Sequence, residues 1–441
     1  MPGNLRYYQE APVFDAFTCF DPQSGKLTAI EEDAFGRAKQ AANLTTPETA
    51  GSITRHDGDG ITLFTGATDE TRTRFPRRIY FQITRNCNLE CPYCFLKARP
   101  GWPHAPTAAV VALAAYLGRN GLMEVRLTGG EPTTHPDFFR IVEAFRKNGV
   151  FVSIATNGLF SLPTLDRIAE MQPPWIICSV DGNRETHNIY RPDTFDRILA
   201  NLRLLKNRQP ALKLRLTTVL TRRNMGQIRD LAEIARSVGA DSITIIPLRP
   251  QVRNPAILAD MINAREFKNV LEQIVRVSEA TGVRMSTTLA TDLEGHLLQD
   301  PIVRKRAACA AGREATNLDF DPTTNKFIVY GCSYSPASDP GADPSLRRPF
   351  LAGEFSPNQP QDFLKIWQND AAWAIYRQPI FKSSACHACD YYRRQQCVGS
   401  CPIQNIDYSA ITAGEDVLAR LRLQLSQTAE WYCYQHVAGE L

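Results

Sequence analysis

"ITRNCNLECPYCFLKARPG", residues 83–101, places Cys87, Cys91 and Cys94 within eight positions. The spacing C-x3-C-x2-C presents three thiolates together and leaves a tetrahedral metal site one protein ligand short. Three thiolates can hold three irons of a [4Fe–4S] cube and keep the fourth iron open for a substrate. The alternative is a zinc site completed by His104 or His135. A chance match to this spacing somewhere in the chain has odds on the order of 1 in 100. The stretch is therefore decided by what surrounds it.

From residue 78 to 248 the chain repeats a strand-then-helix rhythm. "RRIYFQIT" reads as a strand from its β-branched and aromatic content, and the cysteines follow it. "TAAVVALAAYLGRNG" (107–121) and "HPDFFRIVEAFRKNG" (135–149) read as helices that stop at Gly121 and Gly149. "MEVRLTGG", "VFVSIATNG", "WIICSVDG", "LKLRLTTVLT" and "DSITIIPL" supply five more strands. Ser161 is placed to cap the helix after the third strand. Strands alternating with helices mean right-handed βαβ units around a parallel sheet. In such sheets ligands bind at the C-terminal strand ends. "TGGEP", "TNG" and "SVDG" follow strands two, three and four at those ends.

The chain has 441 residues, which calls for two or three domains. A net charge of +4 is too weak to argue for nucleic acid, and no apolar run approaches a membrane span. The start "MPGNLRYYQEAPVF" has no signal-peptide core, so the expected location is the cytosol. Twelve cysteines need a reason there, because cytosolic disulfides are rare. Cys309, Cys332, Cys386, Cys389, Cys397, Cys401 and Cys433 form a second group beyond the first three. Cys19 and Cys178 stand apart and read as core residues.

Across residues 76–290 the chain resembles the radical S-adenosylmethionine (radical SAM) enzymes. The resemblance implies a partial (β/α)6 TIM-like barrel in an α/β fold. It implies that Cys87, Cys91 and Cys94 hold a [4Fe–4S] cluster whose open iron chelates SAM. Electron transfer then yields methionine and a 5′-deoxyadenosyl radical, which takes a hydrogen atom from the substrate. By the same resemblance Tyr93 lies near the adenine. Gly129, Gly130, Glu131 and Pro132 meet the SAM amino group, and Thr156, Asn157 and Ser179 meet its ribose and carboxylate. Arg191, in "HNIYRPDTFDRIL", is placed to pair with that carboxylate.

"CHACDYYRRQQCVGSC" in residues 291–441 resembles the SPASM domain, a seven-cysteine module of peptide-modifying radical SAM enzymes. That resemblance assigns Cys309, Cys332 and Cys401 to one auxiliary [4Fe–4S] cluster. It assigns Cys386, Cys389, Cys397 and Cys433 to a second, and a zinc ribbon is the alternative. Two departures stand out. Seven residues separate Cys389 from Cys397 where the family has five, and Ala315 and Ser333 replace the eighth cysteine and the carboxylate base of sulfatase-maturing members. The first auxiliary cluster is then open or closed by another ligand, and formylglycine chemistry is disfavoured. "NLDFDPTTNKFIVYGCSY" reads as a hairpin, and Tyr330, Tyr334, Asp319 and Asp321 flank its Cys332 as candidates for a base, with packing or turn roles favoured.

Residues 1–75 read as a small α+β module: a hairpin at "DPQSGK", a short helix, and a second hairpin at "HDGDG". It resembles the precursor-recognition domains that take a leader peptide as an edge strand. A packing extension is the alternative. The expected activity is modification of a ribosomally made peptide or protein, with a flavodoxin or ferredoxin-type reductant. A small-molecule dehydrogenase or epimerase, or a multi-cluster electron carrier, is the alternative.

Overall fold

The computed structural model describes residues 72–73, 75–171, 175–250, 252–288, 309–339, 341–378, 381–393, 399–401, 403 and 416–427, together with the backbone of five strands before residue 65. Those five are β1 (Arg6–Ala11), β2 (Ala16–Asp21), β3 (Lys26–Ile30), β4 (Ile53–Arg55) and β5 (Ile61–Phe64). They form one sheet in the order β3-β2-β1-β5-β4. β2 and β3 close across Asp21↔Lys26, at the expected turn, and β4 and β5 make the second hairpin. β1 was not expected; it sits at the centre, antiparallel to β2 and parallel to β5. The helix expected after residue 30 falls outside the described residues.

The second sheet has ten strands. β6 (Arg78–Thr84), β7 (Glu124–Gly129), β8 (Phe151–Thr156), β9 (Trp175–Ser179), β10 (Lys213–Leu220) and β11 (Ser242–Pro247) are the six expected strands, each parallel to its neighbour. A seventh, β12 (Arg284–Thr287), extends the series parallel to β11. The helices between them are α1 (Thr107–Arg119), α2 (Phe138–Lys147), α3 (Leu162–Glu170), α4 (Arg184–Tyr190), α5 (Phe195–Arg208), α6 (Ile228–Ser237) and α7 (Ala264–Thr281). Ser161 caps α3 by accepting from the Thr164 N–H, as read from the sequence. α7 starts with a full capping box between Asn263 and Glu266.

The sheet does not stop where the helical rhythm stops. β13 (Ala315–Asp321) pairs parallel with β6, and β14 (Lys326–Tyr330) and β15 (Leu351–Phe355) follow antiparallel. The cysteine-rich third is thus hydrogen-bonded onto the free edge of the barrel sheet. The core is continuous across that join. Phe81 meets Phe145 of α2 at 6.3 Å and Phe327 of β14 at 5.8 Å, and Phe327 meets Phe355 at 5.3 Å.

Strand side chains alternate between faces. Ile79, Phe81 and Ile83 are fully buried against the helices. Arg78, Tyr80, Gln82 and Thr84 therefore point to the concave side, the barrel lumen.

Candidate active site

The loop after β6 is built by Asn86. Its backbone N–H donates to the Thr84 hydroxyl (3.0 Å) and its side-chain oxygen accepts from the Gly101 N–H (2.8 Å). Cys87 N–H donates to the Arg99 carbonyl, and Cys94 N–H to the Cys91 carbonyl at 3.1 Å. Cys87 and Cys91 are buried and Cys94 is half-buried. Burial pushes the Cys87 thiol up to about 12, with Glu131, Cys91 and Cys94 adding to the shift. The three thiols are thus within electrostatic reach of one another, and binding a metal there must release their protons.

His104 and His135 are committed elsewhere. His104 Nδ1 is 2.8 Å from the Thr84 hydroxyl, and His135 Nε2 is 2.9 Å from the Ala105 carbonyl. Among the described residues no three His, Cys, Asp or Glu side chains converge as a single ion would require. Three thiols with both histidines otherwise engaged are the donor chemistry of three cluster corners, not of a four-ligand zinc site.

The turn after β7 packs directly on this loop. Gly130 N–H donates to the Thr84 carbonyl (2.8 Å) and Glu131 N–H to the Asn86 carbonyl (2.9 Å). A Cβ on Gly130 would lie 2.9 Å from the Arg85 carbonyl oxygen and closer still to that of Asn86. Gly129 has φ +131°, a region open to glycine. The two glycines let backbone approach backbone here. The Glu131 carboxylate, 1% exposed, accepts from Thr133 N–H (3.2 Å) and Oγ1 (2.6 Å), Thr156 Oγ1 (2.9 Å) and Asn157 N–H (2.7 Å). Burial raises its pKa above the ordinary carboxylate value despite these donors. Glu131 ties the end of β7 to the end of β8. Asn157 in turn donates to the Asn88 side chain in the cysteine loop at 2.6 Å.

Asp181, two residues beyond β9, is the hub that sequence reasoning missed. It is fully buried and accepts from Arg191 Nε (2.8 Å), the Tyr93 hydroxyl and Val219 N–H (2.9 Å). Burial opposes its charge, but Arg191, with the Tyr93 hydroxyl and the Val219 N–H, holds it below the ordinary carboxylate range. Its own N–H donates to His187 Nδ1, and His187 Nε2 lies 3.0 Å from the Thr194 hydroxyl. Burial drives His187 down to about 4, so the neutral ring donates from Nε2 to Thr194. Arg191 stacks on Tyr93 at 5.6 Å, and its Nη nitrogens make no hydrogen bond among the described residues. The signal for Asp181 was present in "SVDG": an acid directly at a strand end before glycine. Ser179 itself is half-buried, 3.5 Å from the Thr217 hydroxyl.

Residues 81–235 match the family model of the Radical SAM superfamily. They form a radical SAM domain. The AdoMet-dependent heme synthase of Methanosarcina barkeri is 26% identical over 337 residues, covering 74% of this chain and 91% of that protein. Mycofactocin maturase MftC of Mycobacterium tuberculosis is 27% identical over 337 residues, covering 74% and 78%. The fold is shared with Streptococcus suis SuiB, solved with S-adenosylmethionine and with precursor peptide SuiA. Those superpositions give TM-scores of 0.63 and 0.65 at 15% and 14% identity, over 90% of this chain and 94% of SuiB. No helix among the described residues is long and apolar enough to cross a membrane.

Beyond the radical SAM domain, Cys309, Cys332 and Cys401 come together. Cys332 is pushed up to about 12 by burial, then by Cys401 and Cys309 beside it. Cys386 and Cys389 share one turn, and Cys386 Sγ accepts from Ser400 N–H at 3.1 Å. Cys397 and Cys433 lie outside the described residues, as does the Cys19 side chain. Of the four base candidates, Asp319 is ion-paired to Arg85 and fully buried. Tyr330 is fully buried and accepts from Gln82 Nε2 (2.6 Å). Asp321 accepts from Thr323 N–H in a turn (2.8 Å), and Tyr334 is set between Phe95 (4.9 Å) and Arg249 (5.2 Å). Ser333 donates to Asn317.

Proposed function

We propose that this chain is a radical SAM maturase of a ribosomally made peptide or protein, forming a side-chain crosslink or oxidising an unactivated carbon. The observation that carries the reading is convergence. Cys87, Cys91 and Cys94, the Gly129–Pro132 turn and the Tyr93–Asp181–Arg191 cradle meet at the C-terminal ends of β6 to β9. Cys87, Cys91 and Cys94 would hold a [4Fe–4S] cluster. Tyr93 offers its ring to an adenine, Arg191 its Nη nitrogens to a carboxylate, and the Gly129–Pro132 backbone, Thr156, Asn157 and Ser179 the remaining SAM contacts. Bound there, the cofactors supply a 5′-deoxyadenosyl radical that abstracts hydrogen. Leu248, Val252, Ile257 and Met261 pack with Cys91 and Tyr93 and exclude water from this side. Cys309, Cys332 and Cys401 would hold one auxiliary cluster, and Cys386, Cys389, Cys397 and Cys433 a second, to accept the electron left after abstraction. A flavodoxin or ferredoxin-type protein in the cytosol would supply the reducing electron, and residues 1–75 would bind a leader peptide by strand addition.

MftC is named a maturase and SuiB is solved with a precursor peptide, which supports a peptide substrate. The heme synthase, matched over 91% of its length, favours a small molecule as the second reading. The test is anaerobic reconstitution with dithionite, SAM and each short peptide that the neighbouring genes encode. The expected result is 5′-deoxyadenosine together with a changed peptide mass. SAM cleavage with an unchanged peptide turns the reading to a small molecule. No 5′-deoxyadenosine at all would leave a multi-cluster electron carrier.

A further inference from the structure

Among the described residues, the lumen floor of the barrel carries more positive charge than its carboxylates balance. Strand register sets Arg78 beside Glu124, Tyr80 beside Arg126, Arg126 beside Ser153, and Arg215 beside Ser242. Glu124 accepts from Arg78 Nε (2.6 Å), Arg126 Nη2 (3.1 Å) and the Ser153 hydroxyl (2.7 Å). Arg126 also lies 5.1 Å from the Tyr80 ring. Arg215 lies 4.5 Å over Trp175 and donates Nε to the Ser242 hydroxyl (3.2 Å), with no carboxylate partner among the described residues. Three guanidiniums thus share one carboxylate. Burial, then Arg126 and Arg78, hold Arg215 down to about 10, as expected of a cation short of a counter-charge.

A second observation lies higher in the same lumen. Gln82 Oε1 and Arg85 Nη1 are buried without a hydrogen-bond partner, on residues 1% and 5% exposed. A buried polar group without a partner is costly, and a ligand or a water in the lumen completes both. Depth fits too. Arg215 lies two residues, about 7 Å along the strand, below Thr217, which pairs with Ser179 at the mouth.

We propose that the lumen floor anchors a carboxylate of the substrate, with Arg215 as the residue that pairs with it and Arg126 beside it. The inference rests on the reading of the chain as a radical SAM enzyme. An acidic side chain of a peptide and a small-molecule carboxylate share this chemistry. A carboxylate held at the floor leaves the rest of the substrate facing the strand ends, where hydrogen is taken.

The test titrates hexaglutamate, hexaglutamine and citrate into reconstituted full-length protein at fixed ionic strength, by calorimetry. Wild type is compared with Arg215→Gln, Arg215→Lys and, as a charge control, Arg229→Gln on the exposed face of α6. The expected result is that hexaglutamate binds and hexaglutamine does not. Arg215→Gln should weaken hexaglutamate about 10- to 100-fold, while Arg215→Lys and Arg229→Gln keep most of the affinity. Citrate binding with the same Arg215 dependence, without hexaglutamate binding, supports the carboxylate site and assigns it to a small molecule. Unchanged affinity in Arg215→Gln, or no binding of either anion, overturns the proposal. SAM cleavage by wild type without any anion reports separately on the enzyme reading.

Discussion

Gly130→Ala should cost about 3 kcal/mol of stability and empty the site at Cys87, Cys91 and Cys94 of iron. The new methyl would press on the carbonyls of Arg85 and Asn86, which are backbone and cannot swing aside. Two hydrogen bonds fix the approach, Gly130 N–H to Thr84 and Glu131 N–H to Asn86, so relief can come only by moving the cysteine loop. Cys87 follows Asn86 directly, and its thiol would leave the position shared with Cys91 and Cys94. Melting temperature and an iron count on the reconstituted variant check both halves. Gly226→Ala is the control, since a Cβ there meets nothing within 4 Å, and it should change neither.

Asp181→Ala should be the most destabilising of the side-chain truncations near the SAM site. It removes the acceptor of Arg191 Nε, of the Tyr93 hydroxyl and of Val219 N–H together. Arg191 is 7% exposed and would be left as a buried, uncompensated cation, which costs about 3–5 kcal/mol. Asp181→Asn keeps the shape and an acceptor oxygen, so its loss should be smaller. Denaturant midpoints read the stability. Equilibrium dialysis with SAM reads the aim of Tyr93 and Arg191, which should weaken in both variants, more in the alanine. A wild-type midpoint in Asp181→Ala would mean that Arg191 finds another partner and that the cradle is not built around this carboxylate.

The parts of this fold that depend on local pattern were legible in the sequence. The six barrel strands announce themselves by β-branched runs, the Ser161 cap by its position, and the motif loops by their place after strands. What depends on pairing between distant segments was not legible. Nothing near residues 315–321 says that this strand will hydrogen-bond to β6, and the seventh strand at 284–287 is too short to stand out. The same holds at the site. Gly129 and Gly130 were visible as glycines, but the surface they approach, Thr84 to Asn86, is known only once β6 and β7 lie side by side. Asp181 was quoted within its motif, yet its partners Tyr93, Arg191 and Val219 come from three different segments of chain. Arg78, Arg126 and Arg215 read singly as ordinary surface charges. Only strand register and the alternation of faces bring them to one floor.

The central claim is that Cys87, Cys91 and Cys94 hold a [4Fe–4S] cluster separate from those of the C-terminal cysteines. It is tested most directly by iron and sulfide counts after anaerobic reconstitution, on wild type and on the Cys87→Ala/Cys91→Ala/Cys94→Ala variant. The account predicts about twelve irons falling to about eight, with 5′-deoxyadenosine formation lost in the variant. An iron count that does not change when the three cysteines are removed would contradict it.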